Sequence, residues 1–280
     1  MKNLIVLLFL LTGSVFANEN VYTYSFGNFK VSLLSEGQRD GNKSILIGVT
    51  PEMLSKYAPN GTFPSSINAF LIKTGKQTIL VDTGLGKNLL NNLKSLGISP
   101  EKIDILLITH MHGDHIGGMT SGGKKVFPKA KVYIAKPEYD YWTKDEQRLQ
   151  AVSAAITPYK DSIILFEPEN LNSSSKEFIN GIKAIASYGH TPGHTSFLLE
   201  SKGEKLMIWG DLTHAMAIQM PYPQISVTYD VDPKLAAETR LKMLKFVCDK
   251  NIPVAGMHIA YPSIGKIKSN GTGGYTFNKI

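Results

Sequence analysis

Four side chains that commonly bind metal ions lie within six residues, directly after a strongly apolar run. The run Ile105-Leu-Leu-Ile108 is followed by Thr-His-Met-His-Gly-Asp-His, which supplies His110, His112, Asp114 and His115. A short apolar run bounded by a turn is typical of a buried strand. Open α/β sheets usually place their sites where such strands end. The chain is therefore expected to fold around a buried sheet that presents this loop at one edge.

The spacing of these four side chains favours two neighbouring metal ions over one. His110 and His112 are two residues apart, so in an extended backbone their side chains leave on the same face. Asp114 and His115 are adjacent and must point apart. The alternative is a polar loop that happens to be rich in histidine. Three of the seven histidines of the chain lie here beside an aspartate, which favours the metal-binding interpretation.

The pattern His-x-His-x-Asp-His at the end of a buried strand resembles the metallo-β-lactamase superfamily. That superfamily needs a further His, then an Asp, then a last His, each closing a later strand. The sequence offers these in the required order, within Gly189-His-Thr-Pro-Gly-His194, Leu206-Met-Ile-Trp-Gly-Asp211 and Val254-Ala-Gly-Met-His258. The resemblance covers nearly the whole chain after its first residues.

The resemblance implies a ligand set for two Zn²⁺ ions. The first ion would be held by His110, His112 and His194, the second by Asp114, His115 and His258, with Asp211 as the bridge. His190 would then be structural. Imidazole and carboxylate ligands with open positions suit Zn²⁺, although Mn, Fe or Co could occupy such a site. The ions would share a nucleophilic hydroxide, which Asp114 could orient or deprotonate.

Asp82 and His214 are expected beside this centre. Asp82 opens an Asp-Thr-Gly sequence, which in an aspartic protease needs a second such Asp facing it. No second Asp-Thr/Ser-Gly exists here, so Asp82 is expected to support a ligand histidine by a hydrogen bond. His214 lies three residues after Asp211, where several lactonases of the superfamily carry a substrate-binding Tyr. Catalysis or substrate binding and local packing are equal alternatives for His214.

The order of strands and helices agrees with the fold that the resemblance implies. This is an α/β fold, a four-layer αββα sandwich with the metal ions at one edge of two packed sheets. The expected elements are a half-buried strand over 22–34, a hairpin of 67–72 and 78–81, and helices over 87–96, 137–159 and 232–250. Residues 36–66, rich in Gly, Pro, Asn and Ser, are either a lid over the site or an ordinary surface loop. We expect one catalytic domain, 18–280.

The first residues have the features of a cleaved signal peptide. Lys2 is followed by the apolar stretch Leu4 to Leu11, and Val15-Phe-Ala17 has the small-residue pattern of a cleavage site. Eight strongly apolar residues are too few to span a bilayer, so no stable membrane anchor is expected. Residues 1–17 are therefore interpreted as a signal peptide and the protein as periplasmic or secreted. The lone Cys248 excludes an internal disulfide and is expected to be a packing residue.

Other branches of the superfamily narrow the expected reaction. Di-zinc β-lactamases carry Cys or Ser at the position of Asp211. Glyoxalase II carries a long glutathione-binding region after its last His, whereas only 22 residues follow His258 here. Nucleases add a domain or arm that is not found here. The net charge of +7 comes from scattered Lys rather than a basic stripe, so no nucleic acid partner is expected.

The resemblance is most specific to the methyl parathion hydrolase and quorum-quenching lactonase branch. It rests on Ser66-Ile-Asn-Ala-Phe-Leu-Ile72, Val81-Asp-Thr-Gly84, Gly210-Asp-Leu-Thr-His214 and Asp230-Val-Asp-Pro233. We expect an exported dinuclear zinc hydrolase for small lactones or esters, with phosphotriesters as a side activity. The apolar stretch 215–221 would line a hydrophobic pocket. The alternatives are a β-lactamase-like amidohydrolase, a secreted phosphodiesterase or nuclease, and a non-catalytic binding protein; a homodimer is left open.

Overall fold

The chain builds two main β-sheets, and the computed structural model describes residues 20–173 and 177–280. The first half contains β1 (Val21–Phe26), β2 (Phe29–Asn42), β3 (Leu46–Ile47), α1 (Pro51–Tyr57), β4 (Thr62–Lys73), β5 (Thr78–Val81), α2 (Leu89–Ser95), β6 (Ile105–Leu107), α3 (Gly113–Ile116), β7 (Thr120–Ser121), β8 (Lys124–Lys125), β9 (Lys131–Ala135), α4 (Lys136–Thr143), α5 (Glu146–Ile156) and β10 (Ile163–Phe166). The second half contains β11 (Ile182–Ala186), β12 (Thr195–Ser201), β13 (Glu204–Ile208), α6 (Met216–Gln219), β14 (Ser226–Val227), α7 (Pro233–Asp249), β15 (Val254–Ala255), β16 (Ile264–Ser269) and β17 (Tyr275–Lys279). Short 3₁₀ helices lie at Lys43–Ile45, Pro100–Lys102, Gly117–Met119 and Thr157–Ser162.

Both sheets mix parallel and antiparallel strands. The first has seven strands in the order β1-β2-β4-β5-β6-β9-β10, and the second has six in the order β11-β12-β13-β15-β16-β17. The neighbours β5, β6, β9 and β10 run parallel in the first sheet, as do β13 and β15 in the second. The connections between parallel strands place the following loops at one edge of each sheet.

Alternate side chains of the central strands enter different apolar layers, as the period of two in a strand requires. Leu80 of β5 packs with helices α2 and α5, while its neighbours Ile79 and Val81 face the second sheet. In β13, Ile208 faces the first sheet and Met207 packs with α7. Three apolar layers therefore separate four structural layers. The predicted αββα sandwich is confirmed.

Two predicted elements are each divided in the structure. The expected strand over 22–34 is a hairpin, because Gly27 has φ +51° and approaches Ser201 so closely that a Cβ would lie 2.4 Å from the Ser201 carbonyl oxygen. The expected helix over 137–159 is interrupted after α4. Asp145 is extended and its side chain accepts a hydrogen bond from the Arg148 N–H, which begins α5 as a separate helix.

Residues 36–66 form a packed wall beside the edge where the strands end. They comprise the outer half of β2, then β3, α1 and the beginning of β4. Leu46 and Phe63 from this wall pack against Ala215, Ile218 and Val227. The segment thus has secondary structure and an apolar cluster of its own, which an ordinary surface loop lacks.

Among the residues that the structure describes, no helix has the length and apolar character to cross a membrane. The expected signal peptide, residues 1–17, lies outside the described ranges.

Candidate metal centre

Loops from both sheets meet at one edge and bring seven histidines and aspartates together. The loop after β6 carries His110 to His115, the loop after β11 carries His190, β13 is followed by Asp211, and β15 by His258. The side chains at this edge are almost all buried. Because the strands that precede them end at the same edge, residues far apart in sequence become neighbours.

The first group of ligand atoms belongs to His110, His112, His190 and Asp211, which all lie within 4.8 Å of one another. The Nε2 atom of His190 lies 3.2 Å from Nε2 of His110 and 3.0 Å from Nδ1 of His112. It also lies 3.4 Å from Oδ2 of Asp211. Three imidazole nitrogens and one carboxylate oxygen thus converge on one point.

The second group consists of Asp114, His115 and His258, also within 4.8 Å of one another. Asp211 faces this group as well. Its Oδ1 atom lies 3.2 Å from Nε2 of His115, and its Oδ2 atom lies 3.0 Å from Nε2 of His258. One carboxylate therefore stands between two clusters of ligands, as the sequence pattern predicts for Asp211.

The structure corrects one residue of the predicted set. His194 does not join His110 and His112, because both of its ring nitrogens are engaged elsewhere. Its Nε2 accepts a hydrogen bond from the Asp211 N–H at 2.9 Å, and its Nδ1 lies 2.9 Å from the Ser187 carbonyl oxygen. His190, which was expected to be structural, contributes its ring to the first group instead. The prediction for His194 was wrong.

His194 nevertheless determines where Asp211 sits. Gly210 has φ +61°, and a Cβ at this position would lie 2.5 Å from Nε2 of His194. Only glycine combines this backbone conformation with so close an approach. The imidazole therefore supports the backbone from which the Asp211 carboxylate projects.

Carboxylates and carbonyls hold the other nitrogens of three candidate ligand rings. Asp82, at the end of β5, lies 2.7 Å from Nδ1 of His115. Nδ1 of His258 donates to the Ser66 carbonyl oxygen at 2.8 Å, and Nδ1 of His190 lies 2.8 Å from Asp230. Such contacts fix the ring orientation and direct Nε2 towards a metal ion.

The sequence predicts the contact of Asp82 but not that of Asp230. In the sequence, Asp230 belongs to the motif Asp230-Val-Asp-Pro233, which indicates only the resemblance. Its first residue lies 40 positions after His190, and only the fold brings them together.

Burial keeps the first group neutral. Burial lowers the pKa of His112 to about 4, and it lowers the pKa values of His110 and His190 well below their usual range. Neutral imidazoles expose the lone pairs that a metal ion needs.

The second group has the opposite electrostatic balance. Burial lowers the pKa of His115, but the neighbouring carboxylates, Asp211 first, raise it well above its usual value. The same competition raises the pKa of His258. Burial opposes ionisation of Asp211, yet the surrounding histidines, His115 first, hold its pKa well below the usual range. The carboxylates around this group therefore stabilise a positive charge placed among them.

The side chains fit a pair of divalent ions. Nε2 of His115 and Oδ1 of Asp211 are buried and make no hydrogen bond to any described residue, although they lie 3.2 Å apart. Buried polar atoms without partners are costly. Imidazole nitrogens and carboxylate oxygens are the ligands that Zn²⁺ prefers, and the arrangement offers two such sets on either side of Asp211.

A cavity of about 600 Å³ opens over the second group. Its floor is formed by Asp114, Asp211, His214 and His258, and its walls by apolar and polar side chains that include Phe63, Ile67, Leu85, Tyr229, Arg39, Asp40 and Asn42. The predicted apolar lining by residues 215–221 was wrong. Ala215 and Ile218 pack into the cluster behind the wall and do not line the cavity.

His214 belongs to this floor. Its Nε2 lies 3.0 Å from Oδ2 of Asp211, and its ring stacks on His258 at 4.9 Å between centroids. The ring is 5% exposed, and its backbone N–H donates to the Gln219 side chain. His214 is thus fixed beside both the candidate centre and the cavity.

Comparison with known proteins identifies the family. The family model described as the metallo-beta-lactamase superfamily matches residues 62–253. The chain belongs to the metallo-beta-lactamase superfamily.

Solved structures of a hydrolase and of a lactonase are similar to this one. The hydrolase AbOPH, in the beta lactamase superfamily, is 31% identical with a TM-score of 0.84, covering 93% of this chain and 97% of its own. AidC, a dizinc quorum-quenching lactonase in complex with a product, N-hexanoyl-L-homoserine, is 26% identical with a TM-score of 0.80 and the same coverage of both chains.

Curated relatives include N-acyl homoserine lactonases of the genus Bacillus. One from Bacillus sp. is 24% identical over 174 residues, which cover 53% of this chain and 64% of that protein. The match thus spans less than two thirds of this relative.

Proposed function

We propose that this superfamily member is a metal-dependent hydrolase that opens lactones or cleaves esters of small molecules. The observation that carries the proposal is the position of Asp211 at the floor of an open cavity. Its Oδ2 atom lies 3.4 Å from Nε2 of His190 in the first group and 3.0 Å from Nε2 of His258 in the second. The similarity to AidC supports a lactone as the first substrate to test.

In this proposal, seven residues would hold two ions, and Zn²⁺ suits these ligands best. His110, His112 and His190 would hold the first ion and Asp114, His115 and His258 the second, and Asp211 would serve both. When bound, such a pair lowers the pKa of water and polarises the electrophilic carbonyl or phosphoryl oxygen of a substrate.

The protein's own groups then orient the substrate and move protons. Asp114 lies at the cavity floor, and its side chain is 25% exposed. Burial raises the pKa of its carboxyl group, but the neighbouring histidines, His115 first, lower it further, so the pKa lies below its usual value. A carboxylate there accepts a proton from the attacking water. His214 faces the same cavity and is placed to donate a hydrogen bond to the substrate's carbonyl or leaving oxygen.

The cavity walls support a small amphipathic substrate. Phe63, Ile67 and Leu85 offer apolar contacts for an acyl or aryl group, while Arg39 and Asn42 offer polar contacts near the wall formed by β2. A cavity of about 600 Å³ accommodates a molecule of drug-like size.

We also propose export after cleavage at Ala17, which amino-terminal sequencing of the protein from its native host would test.

The test is the rate of ring opening of N-hexanoyl- and N-decanoyl-homoserine lactones by the zinc-reconstituted protein. We expect turnover that disappears on chelation and in Asp211→Asn, and that persists in Asp249→Asn, a matched change in an exposed ion pair with Lys245. Absence of turnover by protein confirmed to hold two ions would contradict the lactone assignment. Aryl esters and phosphotriesters would then be assayed with the same variants.

A further inference from the structure

A carboxylate outside the ligand set lies fully buried against the loops that carry the candidate ligands. Glu138, in the first turn of α4, is 1% exposed. None of the ion pairs among the described residues involves this side chain, so no Lys, Arg or His of those ranges neutralises it. A buried carboxylate is costly unless hydrogen bonds satisfy it.

Four donors converge on the two oxygens of Glu138. Oε1 accepts from the Met111 N–H at 2.8 Å and from the indole N–H of Trp142 at 2.7 Å. Oε2 accepts from the Thr191 hydroxyl at 2.6 Å and from the Gly193 N–H at 3.1 Å. Burial raises the pKa of Glu138, and the two donors to each oxygen offset part of that cost of burying the ionised form.

Three of these donors belong to the two loops that carry the first group of ligands, and the fourth, Trp142, belongs to α4 itself. Met111 lies between His110 and His112, whereas Thr191 directly follows His190. The carboxylate therefore links the loop after β6 to the loop after β11. One buried carboxyl group thus contacts both loops, which are far apart in the sequence.

Two close contacts complete this link. Trp142, held by Glu138, packs edge-on against the ring of His112 with 5.6 Å between centroids. Gly193 approaches α4 so closely that a Cβ would lie 2.1 Å from the Glu138 backbone nitrogen. The loop after β11 thus packs directly against the first turn of α4.

We propose that Glu138 is a positioning residue that holds the His110–His112 loop and the His190 loop at the separation needed to bind the first metal ion. The inference rests on the proposed metal centre. It does not depend on which substrate the enzyme hydrolyses.

The decisive variant is Glu138→Gln, which keeps the shape of the side chain. Its amide NH₂ cannot accept a hydrogen bond, so the N–H of either Met111 or Gly193 loses its acceptor and the link to one of the two loops is weakened. We expect the affinity for the first ion to fall about 10- to 100-fold. The second ion should bind within about a factor of three of the wild-type affinity, since its ligands make no contact with Glu138.

Zinc affinities would be measured by competition with a chromophoric chelator, and cobalt substitution would distinguish the two ions by their absorption bands. Glu146→Gln is the matched control, because Glu146 also lies in the first turn of a helix but is exposed. Thr191→Val removes one donor without altering the charge, and it should weaken the same ion by a smaller factor. This second variant tests the proposal even if Glu138→Gln folds poorly.

A merely structural role would lower the unfolding temperature of the metal-free protein and leave both zinc affinities of the folded protein unchanged. If the wild-type protein binds two ions, that result would overturn this inference and leave the proposed function intact. A wild-type protein that binds no zinc would overturn the proposed function together with this inference.

Discussion

The Nε2 atoms of His110 and His190 lie 3.2 Å apart, although eighty residues separate the two rings in the chain. His110 follows a strand of the first sheet and His190 a strand of the second, so this contact joins the two halves of the sandwich. Asp230 holds the other nitrogen of His190 and so aims the ring at His110. The pairing of the sheets thus creates the first group of ligands.

Replacement of His190 and of His194 should have different effects on metal content. His190→Ala should reduce the bound zinc from two ions per chain towards one, because it removes a ring whose Nε2 lies among the ligand atoms. His194→Gln should retain two ions, since its amide oxygen can still accept from the Asp211 N–H. Elemental analysis of the purified variants is the measurement. Loss of an ion from His194→Gln alone would reverse the assignment.

Asp82→Asn should weaken zinc binding about 10- to 100-fold, the usual cost of removing a hydrogen-bonded support of a metal ligand. Asp82 has φ +57°, a conformation that Asn also tolerates, so the backbone should be preserved. Asp104→Asn is the control, since this exposed residue contacts the other end of β5. Equal zinc affinities in a chelator competition would show that Asp82 does not support His115.

His214→Phe should lower kcat by about 100-fold or more while both metal ions remain bound, as for loss of one donor to a developing oxyanion. His214→Tyr should retain more activity than His214→Phe, because only the tyrosine supplies an O–H donor. Steady-state kinetics with parallel zinc analysis separates the effects. If His214→Phe loses an ion instead, His214 is a ligand and not a donor to the substrate.

The metal-free protein should lose stability as the pH falls from about 6.5 to about 4. Burial lowers the pKa of His194 to about 4, against a usual value of 6.5. Between these values the unfolded chain binds the proton and the folded chain does not, so lower pH favours unfolding. Urea unfolding of metal-free protein should show a slope with pH that is shallower in His194→Gln, by up to about 1.4 kcal/mol per pH unit. An equal slope in the wild type and in His194→Gln would contradict a lowered pKa of the His194 ring in the folded protein.

The sequence predicts the layers and most of the centre because both rest on local patterns. Apolar runs such as Ile105-Leu-Leu-Ile108 indicate buried strands, and the polar residues that follow them must lie at the strand ends. Local pattern cannot choose between His190 and His194, because they flank the same Thr-Pro-Gly. The choice depends on Asp230 and on Asp211, which come from other parts of the fold.

Two further features depend on packing that no local pattern reveals. Glu138 is one acidic residue at a helix start, and its role follows only from the two loops that meet it. Residues 215–221 are apolar and follow Asp211, which suggested a pocket lining. The turn of α6 directs Ala215 and Ile218 towards Leu46 and Phe63 instead.

The most direct measurement is a zinc titration of the metal-free enzyme, following lactone ring opening and bound metal in the same samples. We predict no catalysis without metal and a rate that rises until two ions are bound per chain and then stays constant. Asp211→Asn should fail to reach this rate at any zinc concentration. Full activity in the metal-free protein, or at one ion per chain, would contradict a dinuclear centre built around Asp211.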